Sequence, residues 1–344
     1  MIIPVVVIFC IFALASLPDD TQKAFRFGAV WAIIGVVLVL ISANRPVEMP
    51  DYAMYAEGFR FDDKGRYEPG YASLMHLIRA QTSDVFYLML VMATIAISIR
   101  LYAIKRFSNF IWLSLAVYVS NVFILHDMIQ IRAAIASGML LFAIYYAHDR
   151  KWIKFIITTL IATMFHYSAI SFLIIPFFVK DNFKKNIYSF IIPLGYILSL
   201  SGVTVGHMVS LVPIPFVQKS YEMYVNAMDL GEGDKINIFN AFILIRIAIA
   251  YLLIIGSGKM QKHNRLFLIW LKLYILGIIA FLLCRDIPAL AFRLSELFFA
   301  VDILLYPMLV YLFRYKNRAW CKVAVIIVGA CSLFINIGYN EFLL

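Results

Sequence analysis

The residues in this chain that could do chemistry crowd between positions 126 and 168. His126, Asp127, Gln130 and Arg132 stand at the head of one apolar run, and the string Phe165-His166-Tyr167-Ser168 breaks the next. A charge at the centre of a bilayer costs about 3 kcal/mol or more, so ionisable groups inside apolar runs tend to line a polar cavity. A lone group of this kind can equally mark a helix end at headgroup level; several at one membrane face point to a site. Asp51, Tyr55, Glu68 and Tyr71 lie in a polar stretch ahead of these runs, and Arg285, Asp286, Arg293 and Glu296 lie around a late one. Arginines converging at a membrane face suit phosphate or carboxylate, because guanidinium stays charged when buried and offers paired donors. A histidine with carboxylates nearby could serve as general base for a hydroxyl. The competing structural reading is a set of Arg–Asp and Arg–Glu pairs that hold helices together, with Arg293 and Glu296 one such pair. Arg246, Lys272 and Asp302, deeper in apolar runs, read as internal pairs or snorkelling side chains.

The elements that must position these groups are membrane helices. The 344 residues are 63% hydrophobic and only 15% charged, against about 25% charged in soluble domains, and mean hydropathy is +0.88. The net charge of +10 does not imply nucleic acid, since basic loops on one side of a membrane account for it. Cys10, Cys284, Cys321 and Cys331 form no C-x-x-C pair and read as small core residues, not as metal ligands or a disulfide framework. Ala13-Leu14-Ala15 resembles a signal-peptidase site, but nothing basic precedes Ile2 while Lys23 and Arg26 follow the run. An uncleaved first helix with its N-terminus outside is expected. P-loop, G-x-S-x-G, H-E-x-x-H and zinc-ligand spacings are all missing from the sequence.

Apolar runs fall near 2–17, 25–43, 84–103, 108–125, 128–147, 152–164, 167–179, 186–205, 238–257, 266–284, 293–313 and 320–338, which predicts about twelve membrane segments. The runs 152–164 and 167–179 are each too short to span comfortably. Charge decides how they are arranged. A single span would put Arg150-Lys151-Trp152-Ile153-Lys154 and Lys180…Lys185 on opposite sides, whereas a broken pair meeting at His166 puts both on the cytoplasmic side. That side then also holds Lys23/Arg26, Lys105/Arg106, Lys259/Lys262/Arg265 and Arg314/Lys316/Arg318/Lys322. A broken pair is tolerated only where it is buried in protein or lines water. The expected architecture is therefore an all-α integral membrane protein with one polytopic domain over 1–344. Two outer loops lie at about 44–83 and 206–237, and the second carries Pro213, Pro215, Tyr221, Tyr224 and a Gly231-to-Asp234 tip.

On a regular helix, His126, Asp127 and Gln130 share an arc of about 100°, and Arg132 falls nearly opposite. Either this helix begins irregularly or Arg132 faces a different neighbour.

These residues resemble those of the EpsG group of Wzy-type bacterial polysaccharide polymerases. The matching features are Asp51-x-x-x-Tyr55, Glu68-Pro69-Gly70-Tyr71, Gln130-x-Arg132 followed by Ala133, Ala134 and Ala136, Phe165-His166-Tyr167-Ser168-Ala169, and a late arginine. Each motif is short; their order over about 25–315 carries the resemblance. The chain departs from it late, where Arg285-Asp286-Ile287-Pro288 precedes Arg293, and either arginine could hold the family position.

The resemblance implies a GT-C-like membrane glycosyltransferase in the bacterial plasma (inner) membrane. Such an enzyme joins undecaprenyl-pyrophosphate-linked oligosaccharide units on the periplasmic or outer face, for O-antigen, capsule or exopolysaccharide, and releases undecaprenyl pyrophosphate. It implies no metal, cofactor or nucleotide-sugar, and as partners the lipid-linked oligosaccharides, the bilayer, and chain-length regulator and flippase proteins. His166, Asp127 and Arg132 are the expected catalytic residues. Arg285, Arg293, Gln130, Asp51, Tyr55, Glu68 and Tyr71 are the expected pyrophosphate- and sugar-binding residues. Two alternatives stand beside this reading. A flippase or transporter would place charges along a path to both faces, and no internal repeat supports one. A membrane O-acyltransferase would use an embedded histidine with an acyl donor from the cytoplasm.

Overall fold

A computed structural model describes residues 2–18, 28–62, 67–180, 182–210 and 236–339, and those residues contain helices and no strand. Lys23, Arg26 and the distinguishing residues of the 206–237 loop lie outside them. The helices are α1 (Ile2–Ser16), α2 (Gly28–Ala43), α3 (Tyr52–Phe61), α4 (Pro69–Arg79), α5 (Val85–Phe107), α6 (Ile111–Tyr118), α7 (Ile131–His148), α8 (Trp152–Phe165) and α9 (Lys185–Leu200). They continue with α10 (Val205–Ser210), α11 (Ala241–Met260), α12 (Phe267–Leu283), α13 (Pro288–Phe299) and α14 (Arg318–Tyr339). A π-helical stretch, Val119–Ile129, extends α6, and 3-10 stretches occupy Tyr167–Phe178 and Tyr306–Leu312.

The expected twelve apolar segments fall into helices of different length. Among the described residues, six stretches are long and apolar enough to cross a membrane: Val85–Phe107, Ile111–Ile129, Ile131–His148, Ala241–Met260, Pro288–Leu312 and Tyr315–Gly338. Five more helices are apolar but shorter, among them Trp152–Phe165 and Tyr167–Phe178. The expected segment 186–205 becomes the 16-residue α9, which carries Lys185 and an internal Pro193 and belongs to neither group.

Local signals place the ends. Asp84 caps α5 by accepting from the Phe86 N–H at 2.9 Å, and Lys105 and Arg106 sit in its last turn, where cations complement the helix dipole. Asn240 caps α11 through the Ile243 N–H at 3.0 Å. Side-chain exposure then separates lipid from protein. Along α8, Phe155, Thr158, Thr159 and Ala162 are buried as one stripe, while Ile153, Ile156, Ile157, Leu160 and Ile161 are exposed. A helix with bare Ile and Leu on its outer face needs lipid there.

Long-range hydrogen bonds sort the loops into two ends. One end gathers the basic loops: Arg265 pairs with Asp149 at 3.0 Å, Lys185 reaches the Ile255 carbonyl at 2.8 Å, Lys259 reaches Leu312 at 3.2 Å, and Lys272 caps the Tyr167–Phe178 stretch through the Phe178 and Lys180 carbonyls. The loops flanking 152–179 thus lie at the same end, as the charge argument expects, and the chain reverses at His166. That residue is extended, φ −156° and ψ 111°, between α8 and the 3-10 stretch. Its backbone is nevertheless satisfied: its N–H bonds to Ala162 and its carbonyl accepts from the Ala169 N–H, both at 2.9 Å. The opposite end holds α3, α4 and the reversal at His166.

Candidate functional site

Glu68 organises the site, and its motif explains itself residue by residue. Pro69 occupies the first turn of α4, where its missing N–H costs nothing. Glu68 is the N-cap in extended conformation, yet its side chain makes no cap bond. Its carboxylate goes elsewhere: Oε2 accepts from Arg132 Nη1 at 2.5 Å, while Oε1 faces His166 Nδ1 at 3.6 Å and accepts from the Tyr167 N–H at 3.4 Å. Gly70 allows this approach, because a Cβ there would fall 2.9 Å from both the Cβ and the carbonyl oxygen of Met164 on α8. Burial by itself would raise the Glu68 pKa, but the His166 hydrogen-bonding group and the Arg132 charge together hold it down at about 2.

Arg132, in the first turn of α7, lies above three tyrosines. Its guanidinium is 5.7, 5.3 and 5.9 Å from the ring centres of Tyr55, Tyr67 and Tyr71. The rings brace one another, with Tyr67 and Tyr71 edge to face at 5.0 Å, and Tyr67 donates to the Met54 carbonyl at 2.7 Å. Gly58 makes room for Tyr67, whose hydroxyl would be 2.2 Å from any Cβ there. Tyr55 and Tyr71 are among the expected sugar- and pyrophosphate-binding residues. The structure places them at 2% and 0% exposure, beneath the guanidinium. Burial pushes the Tyr55 hydroxyl up to about 12 and that of Tyr71 further, so both stay neutral and serve Arg132 as ring faces. Asp51, exposed at the mouth in left-handed conformation (φ 63°), feels the charges of Arg132 and Arg293 together.

The π-helical stretch answers the question of where Arg132 points. The Gln130 N–H bonds to the Leu125 carbonyl, five residues back, at 2.9 Å, and Gln130 then breaks the helix at φ −91°, ψ 63° before α7 begins. Helical-wheel angles across this junction do not hold, and its residues part ways. Asp127 turns inward, where Tyr118 donates to its Oδ2 at 3.0 Å and Arg100 Nε lies at 3.4 Å, both side chains fully buried. Arg100 also donates to the Ala134 carbonyl at 2.9 Å and to Ser137 Oγ at 3.0 Å. Arg45 closes the C-terminal end of the π stretch, donating to the Asp127 carbonyl at 3.2 Å and to that of Met128. Ser42 adds a bond to the Asp127 carbonyl at 2.5 Å. The structure therefore does not bring Asp127 together with His166 and Arg132; it sets Asp127 in the framework behind them.

Gln130 faces the other way and donates to Glu296 on α13 at 3.1 Å. His126 lies against the same pair, close to the backbone of Glu296, and within electrostatic range of His166. Arg293, one turn earlier on α13 and exposed, acts on both Glu296 and Asp51. The suspected Arg293–Glu296 pair is not among the described ion pairs, and Glu296 takes an amide partner in its place. Arg285 opens the turn before α13, and its neighbour Asp286 accepts from Thr204 at 2.5 Å and from the His207 N–H at 3.1 Å. Of the two late arginines, Arg293 is the one whose charge reaches Asp51.

Arg246 and Asp302 form a buried ion pair extended by Tyr306 and Tyr274, the helix-holding arrangement expected of them. Arg45 and Arg100 escaped sequence reasoning. Each carries a signal in hindsight: Arg45 is a basic residue on the side the charge rule leaves poor in them, and Arg100 interrupts the apolar run of α5. Among the described residues no group of three or more His, Cys, Asp or Glu gathers to hold a metal.

Residues 28–343 match the sequence profile of the EpsG family. No curated protein and no solved structure matches the chain.

Proposed function

Because this multi-pass membrane protein belongs to the EpsG family, a Wzy-like family of polysaccharide polymerases, we propose that it joins undecaprenyl-pyrophosphate-linked oligosaccharide units at the outer face of the bacterial plasma membrane. On this reading the chain works as a single polytopic unit of GT-C-like architecture. The supporting observation is the Glu68–Arg132–His166 cluster, assembled from α4, α7 and the α8 break at the end away from the basic loops.

Each residue has a role in the transfer. The hydroxyl of one lipid-linked unit attacks the anomeric carbon of the growing chain; the new C–O bond forms as the bond from that carbon to pyrophosphate oxygen breaks. His166 takes the hydroxyl proton, and Glu68 beside it steadies the imidazolium that results. Catalytic hydrogen bonds commonly tighten only in the reacting complex, which suits the 3.6 Å separation of His166 from Glu68. Arg132 and Arg293 meet the leaving pyrophosphate, whose charge grows as the bond breaks. Glu296, which accepts from the neutral amide of Gln130, is a second carboxylate for orienting sugar hydroxyls.

The test is the glycan profile of a strain carrying His166→Gln. The variant keeps a hydrogen-bonding side chain of similar reach but no base near neutral pH. We expect normal membrane abundance and glycan reduced to single units, with the rate down on the order of 100-fold or more. Polymer at the wild-type rate would remove His166 from catalysis. Loss of all surface glycan in a deletion strain, single units included, would favour a flippase.

A further inference from the structure

Far from this site, at the end that gathers the basic loops, three cations from three elements converge on one tyrosine. Arg106, in the last turn of α5, donates to the Tyr145 hydroxyl at 3.0 Å, and its guanidinium stands 4.9 Å from the ring centre. Lys151, in the turn between α7 and α8, donates to the same hydroxyl at 3.2 Å and lies 4.9 Å from the ring. Arg265, just ahead of α12, is 5.6 Å from it.

Among the described residues, one carboxylate serves the group. Asp149 pairs with Lys151 and with Arg265, both at 3.0 Å, and Arg106 has no carboxylate partner among the described ion pairs. Burial would raise the Asp149 pKa, but hydrogen bonds from Lys151 and His148 and the charge of Arg265 hold it down at about 2. It is therefore already ionised, and three cations against one carboxylate leave two positive charges uncompensated. Mutual repulsion would spread these side chains into water. The Tyr145 hydroxyl and the Asp149 carboxylate pin them instead. The turn is shaped for this: Arg150 adopts the left-handed conformation (φ 55°), and the Lys151 N–H closes onto the Tyr146 carbonyl at 2.8 Å.

The surroundings specify the anion. Tyr102, stacked on Phe142 at 5.6 Å, is 55% exposed beside the cluster, and Trp152 is 44% exposed at the start of α8. Exposed tyrosine and tryptophan at a helix end suit the headgroup level, and the bare isoleucines of α8 continue from there into the apolar face. We propose that Arg106, Tyr145, Lys151 and Arg265 form a binding site for the phosphate of an anionic phospholipid, whose acyl chains lie along α8. Basic pockets between membrane helices at such an interface recognise anionic headgroups by charge.

The experiment uses the full-length protein in detergent, with retention of added phosphatidylglycerol measured by native mass spectrometry. Phosphatidylcholine and inorganic phosphate are the comparison ligands. Arg106→Gln combined with Arg265→Gln removes two charges, at about 1 kcal/mol each near a charged surface, and is expected to weaken retention on the order of 30-fold. Arg314→Gln combined with Lys316→Gln, at the same end but outside the cluster, is expected to leave it unchanged. If the first double variant is not recovered folded, Tyr145→Phe, which unpins Arg106 and Lys151 without altering charge, is expected to weaken retention as well. Equal retention by all variants, or equal retention of phosphatidylcholine, would overturn the proposal. Competition by inorganic phosphate at the same concentration as the lipid would also overturn it, in favour of a soluble phosphate.

Discussion

Glu68 Oε2 and Arg132 Nη1 stand 2.5 Å apart although 64 residues separate them, and the same carboxylate faces His166 through its other oxygen. One acidic residue thereby sets the positions of a cation and an imidazole carried on separate helices. Arg132→Lys replaces a planar fork above three rings with a point charge. Polymer is expected to fall at least tenfold at unchanged membrane abundance, read by glycan gel and immunoblot. An unchanged ladder would place Arg132 outside the reaction.

The Glu68 pKa is depressed from its ordinary 4.5 to about 2, which fixes the sign of a pH effect. The stabilisation is fully present above about pH 4.5 and is lost as pH falls through about 2. Melting temperature of the purified protein is expected to drop over that window in the wild type, and less in Glu68→Gln. Parallel curves for the two proteins would show that the ion pair contributes nothing to folding.

Gly70→Ala tests the contact that brings Glu68 to its partners. The new methyl would meet Met164 backbone at 2.9 Å, and backbone cannot rotate away as a side-chain tip can. α4 must then shift outward, carrying Glu68 from His166. The expected result is a folded protein with polymer reduced at least tenfold, while Gly28→Ala, whose Cβ meets nothing, stays active.

Asp127 and Glu296 separate framework from site. Asp127→Asn leaves Arg100 buried without its counter-charge, a loss of about 3–5 kcal/mol, so membrane abundance and polymer are expected to fall together. Among the described ion pairs none involves Glu296, so Glu296→Gln strands no described cation. Abundance is expected to hold while polymer falls. The reverse pattern, measured by immunoblot beside the glycan profile, would exchange the two assignments.

Sidedness has its own measurement. In a cysteine-free background, Asp62→Cys is expected to react with an impermeant thiol reagent from outside, and Phe183→Cys and Asn317→Cys are expected not to. Outside labelling at 183 would make 152–179 a single span and place His166 within it.

Hydropathy and charge in the sequence by themselves determined that this chain is helical, that it belongs in a membrane, and that its loops divide into a basic and a less basic set. They also located the reversal at His166, because two half-length runs between two basic loops leave few other arrangements. The motif Glu68-Pro69-Gly70-Tyr71 was legible as a unit, but its logic was not: Gly70 matters through Met164, and Tyr71 through Arg132. Which polar groups meet was decided only by the tertiary structure. Hydropathy and loop charge are sums over neighbouring residues, so they survive being read along the chain. An ion pair depends on the rotation and depth of two helices far apart in sequence. In this chain the π-helical stretch before Gln130 also changes the rotation per residue, turning Asp127 toward Arg100 and leaving Arg132 to Glu68.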